Sequence, residues 1–463
     1  MPAIVIIGGG LAGMAAAAAL APHGHRVTLL ESRPRLGGRA SSFIDQATGT
    51  TIDNCQHVNL GCCTNFQYFC QTTGISDGLR TEPCITFIGP HQRSHTLRAS
   101  PLPAPLHLLP SFARLSYLTW HDKWRLAWGL RALAHRRQAA SNELLSDWLK
   151  RQRQTPRAIE RVWQVVLVSA LAESLERITV KDARKVFVDA FLANRQGWEL
   201  QIPTAPLDTL YTQRVGDWLR REGVDVRLSA GVSRIIMSGD RAGGVELRDG
   251  RTVMADEIIL AVPSFGVAAL LPPHVAEHPA IRGLDRLEWA PISSVHLWFD
   301  RSIMPLPHAT FVDRLTQWVF ARGPVLRPDG TTAEYYQVVI SASRGLAGRE
   351  QADIIRDVVR ELIEVWPAAA SAALVSARVV TEHKACLSML PGNDALRPGP
   401  QSPIENVSFA GDWTATGWPS TMEGAVRSGY LAAENVSRRL GVPASFVQPD
   451  LPVSWLARVL LGL

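Results

Sequence analysis

Lysine is nearly missing from this chain. Of 48 basic residues among 463, only Lys123, Lys150, Lys181, Lys185 and Lys384 are lysine, so chemistry through a lysine Schiff base has few candidates. Cysteine is sparse as well. Cys55, Cys62, Cys63, Cys70 and Cys84 share one segment and Cys386 stands alone, which is not the even framework of a small secreted domain, and reduced thiols are expected. Cys55, His57, Cys62 and Cys63 contain no C-x2-C pair, so no metal site is expected. No apolar run reaches the ~20 residues of a spanning helix, and the chain reads as soluble or monotopic. Its first twenty residues imitate a signal peptide but lack a basic start and carry Gly8, Gly9, Gly10 and Gly13. Glycine and proline show no triplet period, which excludes a collagen-like chain. What is abundant is apolar side chain, 46% of residues, enough for a large core in two or three domains of roughly 150 residues each. The net charge of +6 is scattered, so it suits an anionic cofactor or membrane surface as readily as nucleic acid.

Pro2 to Ile7 reads as a buried parallel strand, an unbroken apolar run. Gly8-Gly9-Gly10-Leu11-Ala12-Gly13 follows, then an alanine-rich helix from Met14 to Ala21, then a second strand from Arg26 to Leu30 ending in Glu31. Each part has a mechanical task. Gly8 permits the tight turn, Gly10 lets backbone approach a pyrophosphate, and Gly13 permits close helix–strand contact. Leu11 and Ala12 lie between the glycines, ahead of a helix whose N-terminus faces the anion. Glu31 is placed to accept from a ribose hydroxyl. Ser32 and Arg33 follow it, and Gly37, Gly38 and Arg39 bring flexible backbone and guanidinium beside the same pyrophosphate. This second clamp distinguishes a flavin from a nicotinamide site. Near the other end, Val407 to Phe409 reads as a strand running into Gly411-Asp412, and a helix opens near Met422-Glu423-Gly424-Ala425.

These two ends together resemble the FAD-dependent amine oxidase and carotenoid desaturase superfamily. The resemblance implies an α/β fold, a Rossmann-type FAD-binding domain with an interleaved α+β substrate domain. It implies FAD as cofactor, with Asp412 near the ribityl-pyrophosphate and Met422 and Ala425 at the flavin ring, where the helix N-terminus favours negative charge. Val232 is implied to meet adenine through its backbone. The FAD domain is then discontinuous, residues 1–80, 205–285 and 395–440, with 81–204 and 286–394 forming the substrate domain and 441–463 a tail. Residues 104–200 read mainly helical, with amphipathic stretches near 123–137, 142–153 and 157–175. Strands are expected at 294–299 and 335–343, and a helix at 349–366.

Within the superfamily, Asp53 to Asn65, Ser100 to His107, Ala170 to Glu173 and Pro203 to Leu207 resemble the hydroxysqualene dehydroxylases, also called squalene-associated FAD-dependent desaturases. Amine oxidases commonly place an aromatic residue just before Met-Glu-Gly-Ala; here it is Thr421. The resemblance implies that reduced FAD delivers hydride to hydroxysqualene as its hydroxyl departs as water, in squalene and hopanoid synthesis. Hydroxide is a poor leaving group, so a proton donor is expected near it. His57 is the candidate, its pKa near neutrality suiting the task, with Gln56 and Asn54 orienting it. Glu173 and Glu423 stand in reserve, Glu423 alternatively as a structural charge at its helix start. The residues alone leave open an oxidative enzyme of the same fold, a desaturase or amine oxidase, and a non-catalytic FAD-stabilised scaffold.

So apolar a substrate must travel through a membrane or a partner. Two stretches could dock on lipid: 106–137, with Phe112, Tyr117, Trp120, Trp124 and Trp128 among Arg114, Lys123, Arg125, Arg136 and Arg137; and the tail, with Trp455, Leu456, Val459, Leu460 and Leu461. The alternative for both is packing into the protein's own core or a dimer interface. A cytoplasmic protein on the inner face of the membrane is expected, in transient contact with upstream prenyl synthases and a flavin reductase, with no nucleic-acid partner.

Overall fold

The computed structural model describes residues 1–135, 142–327 and 329–463. A five-stranded parallel sheet runs Asp225–Arg227, Arg26–Leu30, Ala3–Ile7, Glu257–Leu260, Val407–Phe409. Its central strand is buried along its whole length, as an apolar strand covered on both faces must be. One face is covered by the helix Leu11–Leu20, every residue of which is buried. It begins three residues before the expected start at Met14, Gly13 being itself helical. Onto it packs the helix Met422–Arg439. Alanines make that approach close, and a Cβ on Gly429 would overlap the Ala12 carbonyl. The other face is covered by the antiparallel meander Val232–Ser238, Arg241–Leu247, Thr252–Met254, whose Val232, Ile235 and Val245 share a core with Val5 and Ile7.

A seven-stranded, almost wholly antiparallel sheet forms the second half, in the order Leu374–Leu387, Trp289–Phe299, Thr332–Ser341, Trp318–Leu326, His308–Phe311, Ile85–Ile88, Ser94–Leu97. The strand expected at 294–299 starts five residues earlier. The helix expected at 349–366 spans Gln351–Val365 and buries Ile354, Val358 and Leu362, one side at i, i+4 and i+8, against the sheet.

The described residues between 106 and 192 are mainly helical. Trp120–Ala134 opens with a Thr119–Asp122 capping box, and Trp148, Trp163 and Phe187 fill a core shared with the helices Leu145–Arg151, Gln164–Leu171 and Val180–Lys185. The two aromatic-basic stretches divide. Tyr117 is buried, whereas Trp120, Trp124, Trp128, Trp455, Val459 and Leu460 are exposed; Arg136 and Arg137 lie outside the described residues. The tail helix Trp455–Leu461 buries Ala457, and Leu461 packs near Ala134 and Val188. Arg131 donates to the Leu460 carbonyl, so the two stretches adjoin. Among the described residues no helix is long and apolar enough to cross a membrane.

Candidate active site

The strand Ala3–Ile7 delivers Gly8 to the edge of the sheet. Its φ is +110°, and a Cβ there would stand 2.5 Å from the Ala261 carbonyl oxygen, so the turn requires glycine. A Cβ on Gly13 would overlap the Gly8 carbonyl. Gly10 differs: its Cβ direction meets only Gly38 Cα, at 4.0 Å, leaving room for a ligand against the backbone. Gly37 N–H donates to Gly9 O at 2.9 Å, and Gly10 and Gly37 bridge. The two glycine clusters therefore lie side by side, ahead of the amides of Leu11, Ala12 and their helix. The Arg35 Nε is buried and meets no acceptor among the described residues; a bound pyrophosphate supplies one. The cradle fits a dinucleotide.

Glu31 is buried at the strand end, its carboxylate accepting from Gly9 N–H at 2.7 Å, Arg33 N–H at 2.8 Å and the Ser32 hydroxyl at 3.1 Å. Ala230 N–H donates to the Glu31 carbonyl at 2.8 Å, which brings the strand that begins at Val232 close to Glu31. Arg33 turns back to the Gly38 carbonyl at 3.3 Å. Arg39 lies 5.0 Å over the Trp289 ring, pairs with Asp412 and donates to the Ala385 carbonyl at 2.7 Å. Burial alone would lower its pKa, but the Asp412 carboxylate holds it above the ordinary value. Gly411 N–H donates to Ser428 Oγ at 2.7 Å, and Asp412 also accepts from Ser420. Thr421 caps the helix that begins at Met422, accepting from Gly424 N–H at 3.2 Å, with Ala425 in its first turn. Sequence reasoning missed Arg397, which is buried and donates to the carbonyls of Asp412, Thr414 and Trp418 at 3.1, 2.7 and 2.8 Å, fixing the Gly-Asp turn.

A cavity of about 330 Å³ joins these ends to the second half. Arg39, Asn54, His57, Thr421 and Met422 line one side; Phe87, Val165, Ala170, Phe191, Trp318 and Phe320 line the other. His57 Nδ1 lies 2.9 Å from the Cys55 carbonyl oxygen. A carbonyl only accepts, so Nδ1 carries the proton and Nε2 the lone pair. Burial lowers the His57 pKa below the ordinary imidazole value, Arg39 adding to this while the Cys55 carbonyl and Asp53 oppose it. The buried ring therefore takes up its second proton less readily than an ordinary imidazole does. The orienting partners differ from expectation. Asn54 Nδ2 donates to the Arg39 carbonyl and Asn54 Oδ1 accepts from Cys55 N–H at 2.9 Å. Gln56 Nε2 donates to the backbone carbonyl of His57 at 3.1 Å, and its Oε1 accepts from Arg322 at 3.0 Å. Neither amide hydrogen-bonds to the imidazole, since both are occupied by other partners. Arg322, which sequence reasoning missed, holds Gln56, the Pro203 carbonyl and Asp53 together. Burial pushes the Cys55 and Cys386 thiols up to about 12, so neither is a thiolate.

The two reserve carboxylates have other occupations. Glu173 accepts from Arg344 at 2.7 Å, Ser388 at 2.6 Å and Ser174 N–H at 3.0 Å. Burial would raise its pKa, but these partners hold it below the usual carboxylate range. Glu423 is buried and accepts from Phe66 N–H at 2.8 Å and from Asn65 Nδ2 at 2.9 Å. It thereby caps the helix Thr64–Thr72 as well as standing at the start of its own. Burial raises its pKa against the pull of the Phe66 amide, Arg427 and Asn65.

A glycine cradle, a second glycine clamp beside it and a Gly-Asp turn paired with Arg39 of the cavity lining define a flavin-dependent oxidoreductase. Residues 11–437 match the family described as flavin containing amine oxidoreductase; the chain belongs to that family, and its cofactor is FAD. It is 28% identical to the 15-cis-phytoene desaturase, chloroplastic/chromoplastic, of Capsicum annuum, over 94% of this chain and 77% of that one. It is 27% identical to the hydroxysqualene dehydroxylase of Sinorhizobium fredii, over 93% of this chain and 97% of that one. The fold is shared with cyclohexylamine oxidase from Brevibacterium oxydans, at a TM-score of 0.66 and 20% identity, covering 95% of this chain and 99% of that one.

Proposed function

We propose that this flavoenzyme reduces hydroxysqualene to squalene with loss of water. The observation that carries the reading is the cavity itself: hydrocarbon walls on one side and a short polar segment, Asn54 to His57, on the other, beside the residues expected to hold the flavin. The reduced FAD supplies the hydride. The chain's own residues do the rest. The apolar wall binds and orients the isoprenoid, whose burial contributes ~0.8 kcal/mol per carbon unit. His57 Nε2 accepts a hydrogen bond from the substrate hydroxyl and places it. In its protonated form the same nitrogen gives the proton with which that hydroxyl leaves as water. Thr421 stands where an aromatic wall for an amine would be, so the cavity favours a neutral substrate.

The same ring favours one second reading. A neutral imidazole with a free lone pair suits acceptance of a proton in an oxidative desaturation of a carotenoid precursor. Delivery is a problem common to both. Exposing a ~30-carbon chain to water costs on the order of 20 kcal/mol. We therefore place the adjoining Trp120, Trp124, Trp128, Trp455 and Val459 surface, fringed by Arg125, Arg131 and Arg458, on the anionic inner face of the membrane. The deciding experiment is anaerobic: the chemically reduced holoprotein is mixed with hydroxysqualene in detergent. Flavin reoxidation with one equivalent of squalene supports the dehydroxylase. No reoxidation, together with reduction of the oxidised protein by phytoene, moves the assignment to the desaturase.

A further inference from the structure

Behind the first cavity lies a second, of about 350 Å³. Val165 and Ser169, one turn apart on the helix Gln164–Leu171, line both. Trp318 lines the first cavity, and its indole N–H donates to Ser169 Oγ, on the shared wall, at 2.9 Å. The Ser169 hydroxyl in turn donates to the Val165 carbonyl at 2.7 Å. Its donor is therefore used within the helix and its acceptor by the indole, which fixes the side chain in one rotamer. From the other side, the Phe320 ring stacks on Trp318 with centroids 5.6 Å apart.

Polarity changes across this wall. The first cavity is lined mostly by apolar side chains, with Arg39, Lys185, Glu382 and Glu423 also on its lining, whereas the second sets Glu160, Asp313, Arg314 and Glu361 beside Val165, Val168, Phe311 and Leu315. A hydrocarbon chain gains free energy on the first side, and on the second it would displace water from charged groups. The first cavity is also small, at the low end of the roughly 300–1,000 Å³ of ligand pockets, so the position of its end wall matters. We propose that the hydrogen-bonded Trp318–Ser169 pair is the end stop of the apolar cavity and sets the longest isoprenoid chain that the enzyme accepts. This rests on the isoprenoid reading above.

The test uses chains that cannot react. Squalane, with 30 carbons, and lycopane, with 40, are delivered in detergent to the oxidised holoprotein, and binding is read from the perturbed visible spectrum of the flavin. The unaltered protein binds squalane at least about tenfold more tightly. Trp318→Ala, which lengthens the apolar space, brings the two affinities within about twofold. Ser169→Ala, which keeps the wall but removes the acceptor, shifts the preference by about fivefold, the usual worth of one such bond. Should Trp318→Ala lose its flavin, Trp318→Phe, which keeps a ring and drops the N–H, takes its place with the shift expected for Ser169→Ala. An unchanged preference in flavin-loaded variants overturns the end stop and leaves the isoprenoid reading standing. Failure of the unaltered protein to bind either chain overturns both.

Discussion

The two sides of the catalytic cavity are built by different means. On the side expected to hold the flavin, backbone does the work: Gly8, Gly10, Gly13, Gly37 and Gly38 shape a cradle in which a methyl added to Gly8, Gly13 or Gly37 meets a carbonyl. On the substrate side, side chains from distant segments supply bulk, and polar groups are held both locally, as His57 is by the Cys55 carbonyl, and from far along the chain, as Gln56 is by Arg322. Grip on the cofactor should therefore fail abruptly on a minimal substitution. The substrate wall should change by degrees.

The largest effect is expected at the cradle. Gly13→Val drives a branched side chain into the Gly8 carbonyl and should leave the purified protein colourless and destabilised by about 3 kcal/mol, read from its visible spectrum and melting temperature. Next comes the hinge between the two sides. Glu423→Gln removes the charge that caps Thr64–Thr72 and faces Arg427, with a loss of about 2 kcal/mol in chemical denaturation. Retention of full stability would show that the two helices are joined by packing alone.

Acid should act on both sides differently. Buried His107 and His296 have pKa values lowered to about 4 and about 3 by loss of solvent. Below the ordinary value of 6.5 the unfolded chain binds protons that the folded chain refuses, so stability falls as pH drops from about 6.5 towards 4. His107→Leu should flatten that decline in melting temperature. The reductive step, by contrast, should quicken as pH falls from 8 to 6, since the lowered pKa of His57 leaves little imidazolium at neutrality. A pH-independent single turnover would remove His57 as proton source. The smallest effect is expected at the surface. Trp124→Ser with Trp128→Ser should weaken co-sedimentation with anionic liposomes roughly fivefold without changing turnover in detergent.

What was legible in the sequence follows the same division. The strand, glycine turn, helix and second strand ending in Glu31 lie within one short stretch and depend on backbone conformation, which local residue type dictates. Gly411 and Asp412 were legible for the same reason. His57 was visible as a candidate, but its protonation was not, because that depends on the Cys55 carbonyl and on burial contributed by the other half of the molecule. Glu423 stood plainly at its own helix start, yet no local pattern reveals that it caps a helix near residue 65. Arg322, Arg397 and Trp318 gave no signal, since an isolated arginine or tryptophan in a strand or loop gains its meaning only from the carbonyls and hydroxyls that the fold brings to it.

The central claim is that backbone holds the flavin and His57 meets the substrate hydroxyl. It is tested most directly by anaerobic single-turnover reoxidation of the reduced flavin by hydroxysqualene in the unaltered protein and in His57→Gln. The account predicts equal bound FAD in the two proteins and reoxidation at least about 100-fold slower in the variant. Equal rates at equal flavin content would contradict it.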